Sequence, residues 1–279
     1  MKFIIKFFIS LFVFIFVFVV GSTIVVQVIN NKFGVDILST AFAIPKLVKE
    51  VDEETYITVP FKADEHKELA EQINAQVGDF IVFFFFNGYS FVPENVTGTL
   101  TEDLKIKDTV FASFIQTFLA KQEDNTLELK ELSFNCETEM YCKMNVIVKS
   151  PFGITEDIPF LPKALYLNLS FDVTKGENIS YTITETNFRL NTLSKKQTDA
   201  IVTSLNAFIP SMDLDLDTVA NQIAESFMQI MIGNEENKGL VASLMNFGAS
   251  GYKFNKEETD NYFLVTVASL VLRLNERAK

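Results

Sequence analysis

The segment from Ala164 to Leu190 limits the fold more than any other part of the chain. Leu165, Leu167, Leu169, Phe171 and Val173 alternate with Tyr166, Asn168, Ser170 and Asp172. Successive side chains of a strand point to opposite faces, so this period of two predicts a strand with one apolar face over Ala164 to Val173. Thr174-Lys175-Gly176-Glu177 turns the chain, and Asn178 to Leu190 returns as a second strand. There Ile179, Tyr181, Ile183, Glu185 and Asn187 share a face, with Ser180, Thr182, Thr184, Thr186 and Phe188 opposite. A sheet with one apolar face is antiparallel and needs cover on that face.

Several stretches have the helical period that supplies cover. Leu69, Ile73 and Val77 line one face of a helix from about Asp64, and Gly78 ends it. Asp108 caps a helix with the stripe Phe111, Phe114, Ile115, Phe118 and Leu119. Ser194-Lys195-Lys196-Gln197 has the form of a capping box. It opens a helix with Ile201, Val202, Leu205 and Phe208 inward, before Pro210. Asp217 caps another, with Ile223, Phe227, Ile230 and Met231 inward. Leu240 to Phe247 reads as a short helix, and Asn255-Lys256-Glu257-Glu258 as the cap of a last helix reaching about Asn275. Further strands are expected at Phe80 to Phe86, returning after Asn87-Gly88, and at Thr97 to Ile106. A last strand pair, Leu127 to Asn135 and Lys143 to Lys149, flanks the two cysteines.

The start of the chain is different. Lys2 and Lys6 precede an uncharged stretch, residues 7–29, which is 23 residues long. At ~1.5 Å rise per residue a helix of that length exceeds the roughly 30 Å hydrocarbon core of a bilayer. The reading is a single-pass anchor, N-terminus cytoplasmic and the remainder extracytoplasmic, periplasmic or on the cell surface. A cleaved signal peptide ending near Val20-Gly21-Ser22 is the alternative. The expected fold class is therefore α+β: an N-terminal transmembrane helix, then a curved antiparallel sheet packed with several amphipathic helices. Residues 1–30 would be the anchor, 31–60 a connector, and 61–279 one extracytoplasmic domain.

Charge and composition exclude several classes. The chain carries 36 acidic and 24 basic residues, a net of −12, with one His and two Cys. Setting aside Lys2 and Lys6 leaves −14 for the rest. No basic face is available for nucleic acid or anionic lipid headgroups. A Cys/His metal site is excluded by count, and no metal or cofactor is expected. Cys136 and Cys142 flank a five-residue loop, so a disulfide closing that hairpin suits an oxidising compartment, with two free thiols as the other reading. Lys supplies 21 of the positive charges and Arg three, and Trp is absent while Phe occurs 29 times. That balance is the mark of an AT-rich genome, so the Phe excess alone does not define a ligand site.

The remaining motifs have plain structural readings. Asp213, Asp215 and Asp217 resemble the start of a calcium loop, but Thr218 and Ala224 replace its Gly and Glu. His66 reads as a solvated helical histidine with no nucleophile beside it in sequence. No nucleophile elbow or phosphate-cradling glycine loop is present, so an enzyme is not expected. The apolar faces offer one binding idea. Phe83, Phe85, Phe111, Phe114, Phe118, Leu167 and Phe171 would line an elongated groove for a lipid or other apolar ligand, or else form an ordinary core.

The order of elements resembles that of anchored bacterial envelope proteins with TULIP-type or AsmA-type domains, including the YpmS-like group. The elements concerned are the anchor, the helix ending at Gly78, strands around Pro93-Glu94-Asn95-Val96-Thr97-Gly98-Thr99-Leu100, and the pair Leu165 to Leu190. The resemblance implies lipid handling and transfers no functional residue. The expected function is thus a non-enzymatic envelope protein binding lipid or an apolar ligand. The alternative is an envelope scaffold with a solid core and an acidic surface for a protein partner.

Overall fold

The computed structural model describes residues 37–84, 88–119, 127–151, 164–208, 213, 215–234 and 239–268. The chain is α+β with antiparallel sheets, three of them rather than one. No helix among the described residues is long and apolar enough to cross a membrane. The transmembrane helix in the expected fold class is therefore corrected. The segment that prompted it, residues 7–29, lies outside the described residues.

Four strands form the largest sheet: β4 (Glu128–Thr138), β5 (Tyr141–Pro151), β6 (Ala164–Lys175) and β7 (Tyr181–Leu190). They pair in sequence order, each antiparallel to the next. Both hairpins foreseen from the alternation are present. One face carries Leu132, Phe134, Met144, Val146, Leu167, Leu169, Phe171, Phe188 and Leu190, all buried. The β6–β7 register slips between Ser170 and Asp172, and Glu185 takes a φ of 51° there. The slip is a β-bulge.

The second sheet has the order β3–β9–β8, from β3 (Leu104–Lys107), β8 (Ala249–Glu257) and β9 (Asp260–Val267). Residues 255–268 are thus not helical, contrary to the reading of a helix from Asn255 to Asn275. Phe263 and Val265 alternate inward with neither exposed, and Phe254 faces Phe263 across the hairpin. The polar run read as a helix cap is a hairpin turn, with Glu258 at φ 52°. The strand expected at Thr97 to Ile106 shrinks to β3. A two-stranded hairpin, β1 (Ile81–Phe84) and β2 (Gly88–Phe91), completes the strands.

The helices are α1 (Ile37–Val48), α2 (Glu53–Tyr56), α3 (His66–Val77), α4 (Asp108–Leu119), α5 (Lys195–Phe208), α6 (Leu216–Met231) and α7 (Leu240–Leu244). The capping box at Ser194 forms as its sequence suggests: Gln197 N–H donates to Ser194 Oγ at 3.3 Å, and Ser194 N–H to Gln197 Oε1 at 3.1 Å. For α6 the cap moves two residues from the expected Asp217. Asp215 accepts from Asp217 N–H at 3.0 Å and from the Thr218 hydroxyl at 2.6 Å. Helix α1 falls in the expected connector, yet Ala43 and Leu47 have no exposure and belong to the main core. Its Thr40 hydroxyl meets Ser204 of α5 at 2.9 Å.

Candidate functional site

The seven groove candidates divide into two groups. Phe111, Phe114 and Phe171 have no exposed surface and Leu167 is 4% exposed, all within one hydrophobic core. Phe111 and Phe114 lie on α4 because the stripe faces β4 and β9. Their rings join a chain of aromatic contacts. Phe114 stacks on Phe91 at 5.9 Å between centroids, Phe111 meets Phe263 edge-on at 5.8 Å, and Phe263 stacks on Tyr252 at 5.5 Å. The backbone alone places the others: Phe83 pairs with Tyr89, and Phe118 sits in α4. Phe85 lies outside the described residues.

Cys136 and Cys142 are directly opposed in the β4–β5 ladder, with Cα atoms 4.1 Å apart, and form a disulfide. Both are buried. The hairpin tip beyond them carries Met140, 57% exposed. Beside it opens a cleft of about 540 Å³, lined among others by Glu139, Met140, Lys175, Tyr252, Lys253 and Thr266. Lys253 Nζ lies 3.8 Å from Glu139, and Lys175 Nζ lies 5.5 Å from the centre of the Tyr252 ring.

His66 is not the solvated residue expected. It is buried at the start of α3, where Nδ1 meets Ser113 Oγ at 2.8 Å and His66 N–H donates to the same oxygen at 3.1 Å. Ser113 in turn donates to Ala63 O at 3.1 Å. Burial pulls the histidine below its ordinary value. Ser113 is itself 1% exposed. The pair therefore ties α3 to α4, and it is closed to a substrate.

The outer face of the four-stranded sheet was only half legible. Alternation in β6 puts Tyr166, Asn168, Ser170 and Asp172 together, but their neighbours depend on register. The register aligns Ser133, Asn145, Ser170 and Asn187 as one row across all four strands. The next row towards the disulfide brings Asn135, Lys143, Asp172 and Thr184 together. On the other side lie Glu131, Ile147, Asn168 and Arg189. Ser133, Ser170, Asp172 and Glu131 are all buried, although they lie away from the core.

Charged groups on this face are held by neighbouring side chains and backbone, some by opposite charges and some by neutral groups. Arg189 Nη2 donates to Asn168 Oδ1 at 3.1 Å, and Lys143 Nζ lies 3.5 Å from Asp172 Oδ1. Glu131 accepts from Thr58 N–H at 2.7 Å, the Thr58 hydroxyl at 3.0 Å, Val59 N–H at 3.3 Å and the Ser133 hydroxyl at 3.3 Å. Glu53 of α2 meets the Tyr166 hydroxyl, Lys130 and Lys149. The Tyr166 hydroxyl, first among these, holds the Glu53 carboxyl below its ordinary value. Residues 53–59 thus close one end of the face.

No group of three or more His, Cys, Asp or Glu among the described residues is arranged to hold a metal ion. Compared with protein-family models, curated proteins and solved structures, the chain matches none.

Proposed function

We propose that the chain is a non-enzymatic extracytoplasmic module that acts through its surface on a partner in the cell envelope. One observation carries this reading. The aromatic residues that would have lined an apolar groove, Phe111, Phe114 and Phe171, are packed without exposure. The element order resembling TULIP- and AsmA-type domains would require such a groove for an acyl chain. A filled core leaves the surface as the working part, and that surface is strongly acidic.

Two features support the location. The disulfide suits an oxidising compartment. The apolar segment 7–29, preceded by Lys2 and Lys6, is suited to bring the chain to a membrane. Exposed Met140 beside the cleft is the most apolar feature of the hairpin tip, and flexible methionines serve adaptable contacts.

Crosslinking in cells tests the reading. A photo-crosslinker at position 140 should capture one dominant envelope protein, and a crosslinker at Lys105 on β3 should not. Native mass spectrometry of the purified chain should show no bound lipid. A stoichiometric co-purifying lipid would overturn the reading.

A further inference from the structure

The outer face of the four-stranded sheet has features that the protein-partner reading does not use. Asn187 Oδ1 is buried without a hydrogen-bond partner, and so is Asp172 Oδ1, whose nearest cation, Lys143, is 3.5 Å away. Asp172 is 5% exposed. Buried polar atoms are nearly always satisfied, and each exception costs stability. Here Asn187 carries the open acceptor, since the Asp172 carboxylate is held by Lys143 and the Tyr141 hydroxyl. The rows Ser170↔Asn187 and Asp172↔Thr184 are neighbours. Between them sits the bulge with Glu185 at φ 51°, a left-handed backbone position that costs a non-glycine residue energy. Bulges of this kind re-aim side chains and gather next to binding sites.

We propose that this face binds a neutral saccharide along the row Ser133, Asn145, Ser170 and Asn187. The row consists of two hydroxyls and two primary amides, of which the Ser133 hydroxyl already donates to Glu131 and is left to accept. Its cross-strand spacing of ~4.8 Å sets successive groups about one sugar ring apart. Of the charges alongside, Lys143 is ion-paired with Asp172, while Arg189 is held by the neutral amide of Asn168 and Glu131 by the N–H groups of Thr58 and Val59. A polyanion meets a chain of net charge −12, whereas a sugar hydroxyl can donate to the open Asn187 oxygen. Ile147 and Tyr166 are the buried apolar members of the face among the described residues, which is too little for an acyl chain. The proposal stands apart from the protein-partner reading, and either can fail without the other.

Co-sedimentation of the full chain tests it, in a detergent without a sugar headgroup. The probes are insoluble cellulose, insoluble chitin and a calcium-pectate gel. Retention on cellulose or chitin is expected, released by the matching soluble oligosaccharide, with none on the polyanionic pectate. The two neutral polymers separate a plain glucan from an N-acetylated one. Asn187→Val removes the open acceptor and suits a strand, so retention should fall about tenfold, the weight of one hydrogen bond. Its melting temperature should hold or rise, because a buried orphan is lost. If Asn187→Val melts early, Ser170→Ala replaces it as the binding variant, since it only trims a hydroxyl from the row. Absence of retention on both neutral polymers overturns the proposal. So does equal retention of the folded variant, or release by peptide instead of sugar.

Discussion

Truncating Phe114 separates a packed core from a ligand groove. The ring has no exposed surface, stacks on Phe91 and lies 6.1 Å from Phe111. Replacing such a side chain by Ala removes its transfer energy and leaves a cavity, at a cost of about 3–5 kcal/mol. That is a large share of the roughly 5–15 kcal/mol that holds a domain together. With a urea dependence of about 3 kcal/mol/M, the unfolding midpoint of Phe114→Ala should fall by about 1–1.7 M. The chain has seven tyrosines and no tryptophan, so tyrosine fluorescence and far-ultraviolet circular dichroism are the readouts. A lining residue of an open groove would behave like a surface position, within about 0.5 kcal/mol. A midpoint unchanged within error would refute the packed-core argument and restore the apolar-ligand reading.

Other expectations follow from single contacts. Asp215→Ala removes the side chain that caps α6, and should cost about 1 kcal/mol in the same titration. Reduction of the disulfide in the Cys136–Cys142 hairpin should lower stability by about 2 kcal/mol by the chain-entropy estimate for so short a loop, read as a midpoint shift with and without reductant. His66 is the chain's one histidine, and its burial makes the folded form bind its proton less readily than the unfolded form. Stability is therefore complete above the unfolded value near 6.5 and declines as pH falls through and below it. Melting temperature should drop between pH 7.5 and 5.5, and His66→Gln should flatten that slope. Glu131→Ala leaves Thr58 and Val59 N–H groups without their acceptor, so limited proteolysis should cut within residues 50–62 faster than in the parent.

Local patterns predicted local structure well. The alternation from Leu165 to Val173 is a complete strand, and the Ser194 capping box forms with both of its hydrogen bonds. Two kinds of information were missing. A run such as Tyr262 to Leu272 has no decisive period, and β9 forms because Phe263 and Val265 find Phe254 and Leu104, remote partners that the run itself does not encode. His66 likewise looked solvated because Ser113, 47 residues away, is invisible to local reasoning. The polar face needed both levels. Its members on β6 could be named from alternation, but only the pairing of four strands sets Ser133 and Asn187 in one row.

The pairing of β3 with β9 bears on how the chain is made. Leu104 waits for Val265, and Asp103 accepts from Val267 N–H across a separation of 164 residues. Thr40 of α1 similarly waits for Ser204 of α5. A ribosome must therefore release nearly the whole chain before the second sheet can close, and contacts of such long range form slowly. Until then the β1–β2 hairpin and, after it, the β4–β5 hairpin are able to close on themselves, the second bringing the two thiols together. A stop codon shortly before residue 249 would leave β3 without a partner strand and the aromatic cluster around Phe111 open to water.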